Sequence, residues 1–211
     1  MHIALVGATG QIGRRIARTA LDRGHAVTAV VRSDAHLPAE LAGARVVVAD
    51  LDDRDALAAA VRGHDALASA YGPAPDVAAD TVVAVARTLV AVADTAGVRR
   101  LVVVGGAGSL EIAPGLQLVD TPDFPAAYKP VALAHRSALD VYRGSDLDWT
   151  FFAPAAEIGP GDTRGTFRTG AVALLRDAHG ASRIGYGDYT AAFVDELETP
   201  RFVRQVATVA Y

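Results

Sequence analysis

Cysteine is absent from this 211-residue sequence, which excludes a disulfide framework, cysteine-ligated zinc and thiolate catalysis. Lysine is nearly absent too: Lys129 is the single lysine among 20 basic residues, and the rest are arginine. No apolar run approaches the roughly 18 residues that a membrane-spanning helix needs. The first such run, Ile3 to Val6, ends in glycine and reads as a strand rather than as part of a signal peptide, so residence in the cytoplasm is expected. Positive charge is not in excess. The net charge is −4, which gives no footing for nucleic acid or an anionic membrane as partner. A small-molecule substrate is the expected partner, a homodimer is admitted but not required, and no metal site is expected.

What the chain has in plenty is alanine and valine. Hydrophobic residues make up 51% of it, enough for a sizeable core at this length. The apolar positions alternate between two kinds of segment. His2–Val6, Ala26–Val31, Arg45–Ala49, Asp65–Ala70, Arg100–Val104 and Leu147–Phe152 are short, nearly continuous apolar runs, as expected of strands buried on both faces. Between them, apolar residues recur at helical spacing. Ile12, Ile16, Ala17, Ala20 and Leu21 line one helix, which Gly24 stops; Asp53 to Arg62 forms a short one ending at Gly63. Val82, Val85, Leu89 and Ala93 line a long helix that ends at Gly97, with Asp76, after Pro75, as its expected N-cap. Pro130 opens a further helix whose inner face carries Val131, Ala134, Ala138, Val141 and Tyr142. The remainder is less regular, with a helix expected over Asp188–Leu197 and a strand over Phe202–Val209. Alternating strands and helices with right-handed crossovers predict a Rossmann-type, doubly wound α/β fold with a mainly parallel sheet. One domain is expected over residues 1–211, its part beyond about residue 154 covering a substrate.

The chemistry starts at Gly7-Ala8-Thr9-Gly10-Gln11-Ile12-Gly13, between the first strand and the first helix. A phosphate-binding turn needs one glycine for the sharp bend, a second for close approach of the pyrophosphate and a third for helix–strand packing. Free N–H groups at the helix start then meet the phosphates. Gly7, Thr9, Gly10, Gln11 and Ile12 are therefore candidate cofactor ligands. The second strand chooses between cofactors. NAD sites carry an acidic residue there for the ribose 2′-hydroxyl, whereas this strand runs into Val30-Val31-Arg32-Ser33. Arg32 can clamp a 2′-phosphate and Ser33 can add a hydroxyl, so NADP is expected over NAD. Asp50 and Leu51 end the third strand where an adenine would lie, although Asp50 would equally serve as a helix cap. Ser69, Ala70 and Tyr71 end the fourth strand, on the side where parallel sheets bind ligands.

The glycine turn, Val30-Val31-Arg32 and the run Val103-Val104-Gly105-Gly106-Ala107-Gly108-Ser109 resemble the atypical short-chain dehydrogenases, the group that includes NmrA-like proteins and flavin/biliverdin reductases. Leu147-Asp148-Trp149-Thr150 with Pro154-Ala155, and Asp188-Tyr189 before Asp195-Glu196, extend the resemblance over nearly the whole chain. It implies that Gly105 and Pro154 border the cofactor and that catalytic residues follow the fifth strand. Ordinary members of the superfamily use a Tyr-x-x-x-Lys pair, in which the lysine lowers the tyrosine's pKa. Here Ala132 stands four positions after Tyr128, and the pair is missing. Tyr128 and Lys129, Ser109 and His135 remain the candidate catalytic residues. The resemblance thus implies an NADPH-dependent reductase passing hydride to a small aromatic, quinone or flavin-like acceptor, which needs no strong protein acid. A non-catalytic NADP-binding regulator and an epimerase- or dehydratase-like enzyme are the alternatives.

Overall fold

A computed structural model of the chain describes residues 1–74 and 76–211. Pro75, expected ahead of the third helix, lies outside them. The elements follow one another as β1 (His2–Val6), α1 (Gly13–Asp22), β2 (Ala26–Val31), β3 (Arg45–Val48), α2 (Arg54–Val61), β4 (Ala66–Ser69), α3 (Thr81–Ala96) and β5 (Arg100–Val104). After these come β6 (Glu111–Ala113), β7 (Leu116–Gln117), α4 (Lys129–Arg143), β8 (Asp148–Ala153), β9 (Glu157–Gly159), β10 (Arg168–Gly170), β11 (Arg183–Gly185), α5 (Tyr186–Glu198) and β12 (Gln205–Ala210).

Eight strands form one sheet in the order β10-β12-β8-β5-β4-β1-β2-β3. All pairings within it are parallel except that of β10 with β12. The chain therefore winds outward from β1 in both directions, and the strand order reverses between β1 and β4. That reversal opens a crevice at the carboxyl ends of these two strands. Both sheet faces are covered, which is why the strands read as continuous apolar runs. Helices α2, α3 and α4 close one face, where Leu57, Leu89, Ala138 and Tyr142 pack with Leu67, Leu101 and Phe151. Helices α1 and α5 close the other, where Ile16, Ala20, Tyr189 and Phe193 pack with Ile3, Leu5 and Phe152.

Two helix starts differ from the sequence expectation. Helix α3 begins at Thr81, with Asp80 rather than Asp76 at its N-cap position. The Thr81 hydroxyl donates to the Ala78 carbonyl (2.7 Å), closing a turn that delays the helix. Asp50 does not cap α2. Asp53 does so, accepting from the Ala56 N–H (3.0 Å), while Asp50 accepts from the Asp52 N–H (3.0 Å) in a turn of its own. Beyond β8, the short pair β9–β11 and the antiparallel edge strand β10 were not expected. Among the described residues no helix is long and apolar enough to cross a membrane, and no group of three or more His, Asp or Glu could hold a metal ion.

Candidate functional site

The glycine turn stands at the crevice that the topology opens. Gly7 has φ +75°, in the left-handed region, and a Cβ there would lie 2.7 Å from the Ala70 carbonyl carbon at the end of β4. A Cβ on Gly13 would overlap the carbonyl oxygen of Gly7. Both positions are thus closed to any side chain, and the turn folds tightly against β4. Gly10 donates to the Gly7 carbonyl (3.1 Å) and Arg14 to the Gly10 carbonyl (3.0 Å). The N–H groups of Thr9, Gln11 and Ile12 have no acceptor among the described residues, and Thr9, Gly10 and Gln11 are exposed. Unpaired donors at the start of a helix form a ready site for phosphate. The Gln11 side chain is fixed beside them, its Oε1 accepting from Arg14 Nη2 (2.7 Å) and Arg15 Nη1 (2.9 Å). The cradle fits a dinucleotide pyrophosphate on geometry alone.

Along the crevice, Arg32 follows β2, is exposed, and has no carboxylate partner among the described residues. Ser33 accepts from the Ala35 N–H (3.3 Å). Asp50 and Leu51 follow β3, the first exposed and the second packed against the core. At the end of β4, buried Ser69 accepts from the Tyr71 N–H (3.3 Å), and the Tyr71 hydroxyl donates to Thr81 Oγ1 (3.2 Å). Gly105, after β5, is buried, and a Cβ on it would run into the Phe151 ring. Pro154, after β8, is buried as well.

The four candidate catalytic residues separate. His135 joins Ser69 and Tyr71 in lining a cavity of about 10 Å³ behind the ends of β4 and β5, with Val104, Tyr142 and Phe151 as further walls. Its ring meets Phe151 edge to face, centroids 6.3 Å apart, and its Cβ lies 3.1 Å from where a Gly106 Cβ would stand. Burial among these groups pushes the His135 pKa down to about 4. At neutral pH it is an uncharged imidazole, able to donate or accept one hydrogen bond. Burial likewise raises the Tyr142 hydroxyl, which stays protonated. Ser109 is fully buried in the turn after β5, and its hydroxyl has no partner among the described residues. Tyr128 and Lys129, at the start of α4, are exposed, and neither lines the cavity. Tyr142, Phe151 and Thr81 enter the site from outside the sequence-derived set. The helical periodicity marks Tyr142 as inward-facing but gives no sign that it faces a cavity.

A Rossmann-type sheet whose strand order reverses at a glycine cradle defines a dinucleotide-binding protein. A family model described as NAD(P)H-binding matches residues 7–195. The chain belongs to this NAD(P)H-binding family, and the resemblance to atypical short-chain dehydrogenases is borne out. Three solved structures lie close to it. A Burkholderia pseudomallei protein, provisionally assigned as exported, is 55% identical with a TM-score of 0.92, each chain covered in full. A Streptococcus pneumoniae protein provisionally assigned as an NADH-flavin reductase is 33% identical over 100% of this chain and 99% of its own, TM-score 0.89. A Bacteroides thetaiotaomicron protein provisionally assigned as an epimerase is 36% identical over 100% and 96%, TM-score 0.89.

Proposed function

We propose that the protein is an NADPH-dependent reductase whose acceptor is a small, flat ring system of the flavin or quinone kind. The bound nicotinamide would supply the hydride, and the protein's task is alignment and exclusion of water. Gly7, Thr9, Gly10, Gln11 and Ile12 would hold the pyrophosphate, Arg32 and Ser33 the 2′-phosphate, and Asp50 and Leu51 the adenine. Ser69, Ala70, Tyr71, Gly105 and Pro154 would border the ribose and nicotinamide. The observation that carries the reading is the lack of an acidic group, among the described residues, where β4 and β5 end beside the cradle. The small cavity there is lined by valine, leucine and alanine side chains together with Tyr71, Tyr142 and Phe151, and its one ring base, His135, is uncharged at neutral pH. The cavity has room for about one water, so the acceptor would lie outside it, against a wall that offers no acidic proton, which suits acceptors that take hydride without general acid catalysis. Tyr128 and Lys129 are exposed and lie outside the lining of that cavity. We assign the part beyond residue 154 to covering the acceptor.

The test is oxidation of NADPH, followed at 340 nm, with a panel of flavins, quinones and simple aldehydes. Turnover with flavins or quinones, and little with aldehydes, is expected. If nothing in the panel oxidises NADPH while the cofactor still binds, the reductase reading fails and a non-catalytic NADP sensor takes its place.

A further inference from the structure

Beyond β8 the chain builds a second cavity, of about 350 Å³, between β9, β11 and Tyr211. Strand β9 starts four residues after β8 ends, and Tyr211 directly follows β12. Because β8 and β12 run parallel to the other strands, the cavity opens at the same edge of the sheet as the glycine cradle. It also sits close to α1. Pro160 and Gly161, which line it, form on their other side a wall shared with Arg15 and Thr19 of that helix.

One side chain in this cavity is held in place without a charge partner. The Arg164 guanidinium lies over the Tyr211 ring, 3.7 Å from its centroid, and forms no ion pair among the described residues. Its backbone is fixed by a buried side chain. Asp188, with 0% exposure, accepts from the N–H groups of Arg164 (2.8 Å) and Gly165 (2.9 Å) and from the Tyr211 hydroxyl (2.8 Å). The carboxylate thus anchors both the arginine's backbone and the ring under its head, yet leaves the guanidinium donors unspent. The other charges of the cavity are Asp162, exposed, and Arg183, which is paired with Glu157 (2.9 Å). Anchored, stacked and without an ion-pair partner, a guanidinium is the group that recognises phosphate or carboxylate through its fork of N–H donors.

We propose that this cavity takes the anionic end of the acceptor, a phosphate or carboxylate carried on its ring system, with Arg164 as the binding residue. The proposal deepens the reductase reading and rests on it for the word acceptor, but the anion site is testable alone. Phenyl phosphate is titrated into the protein saturated with NADP⁺, which keeps the glycine cradle occupied, and binding is read by broadening of the phosphorus resonance. Wild type is expected to bind it, and Arg164→Gln to bind it at least tenfold more weakly. Arg164→Met, which keeps the stem over the Tyr211 ring, serves as second variant should the first not fold. Equal binding by wild type and variant, or none by either, overturns the proposal. In parallel, the preference for FMN over riboflavin in NADPH oxidation is expected to fall about tenfold in Arg164→Gln. If wild type binds phenyl phosphate through Arg164 but reduces neither flavin, the flavin reading fails and the anion site stands.

Discussion

His135 is a residue whose surroundings decide its chemistry. It lies in α4 with Gly106 against its Cβ and Phe151 against its ring, and burial lowers its pKa from 6.5 to about 4. In the unfolded chain the ring takes up a proton below its ordinary pKa of about 6.5. In the folded chain it stays neutral until about pH 4. Its contribution to stability is therefore fully present above pH 6.5 and is lost as pH falls from there toward 4. The loss reaches about 3 kcal/mol, from 1.36 kcal/mol per pKa unit. Urea melts of wild type and His135→Leu at pH 7, 5.5 and 4.5 test this. The difference between the two proteins should shift in the variant's favour by about 1 kcal/mol per pH unit in that range. A gap that stays constant would mean that the native ring takes up its proton as readily as the unfolded one. The sequence placed His135 one turn inside a helix and went no further. Only the fold brings Phe151, from the next strand, against it.

At the scale of elements, α5 is tied to the sheet by a buried ion pair. Arg100, at the start of β5, reaches Glu196 of α5 (2.8 Å) and also donates to the Asp148 carbonyl, to Thr150 Oγ1 and to the Glu196 carbonyl. Glu196 accepts in turn from the Thr150 hydroxyl and from the N–H groups of Arg201 and Phe202. Desolvation lowers the Arg100 pKa while Glu196 opposes that effect. Removing one of them strands the other. Glu196→Ala should cost about 3–5 kcal/mol in urea unfolding. The double variant Arg100→Met with Glu196→Leu should cost clearly less than either single change. If the double is worse than both singles, the pair stabilises the fold outright rather than only penalising its own rupture. Asp195-Glu196 and Asp188-Tyr189 were legible as part of a family pattern, but that pattern suggests nothing about role. The structure gives Asp188 to the Arg164 N–H and the Tyr211 hydroxyl, and the Tyr189 hydroxyl to the Phe152 carbonyl (2.7 Å). The central strands β1, β2 and β5 were legible to the residue because both their faces are buried and their ends are marked by polar or glycine residues. Strand β10 was not, since Arg168-Thr169-Gly170 owes its extended form to pairing with β12 and carries no apolar pattern.

Across the whole molecule, the cradle and Arg32 belong to neighbouring strands, β1 and β2, held in register from His2 opposite Ala26 to Val6 opposite Val30. A ligand bridging the ends of these strands binds only when the sheet is formed, so its affinity appears as stability of the entire chain. At 100 times its Kd a ligand that binds only the native state adds about 2.7 kcal/mol. For a domain of this size that raises the melting temperature by about 5–10 °C. NADPH should give such a shift, and NADH at the same concentration a smaller one, because only NADPH carries the phosphate that Arg32 would meet. In Arg32→Ala the NADPH shift should shrink to that of NADH, while the NADH shift changes little and the melting temperature without cofactor stays where it was, since Arg32 is exposed and makes no ion pair among the described residues. Lost charge-assisted bonds of about 1.5–3 kcal/mol correspond to at least tenfold in affinity. Thermal melts of both proteins with each cofactor decide the matter. If Arg32→Ala reduces both shifts alike, Arg32 does not read the 2′-phosphate, and the choice of NADPH over NADH falls with it.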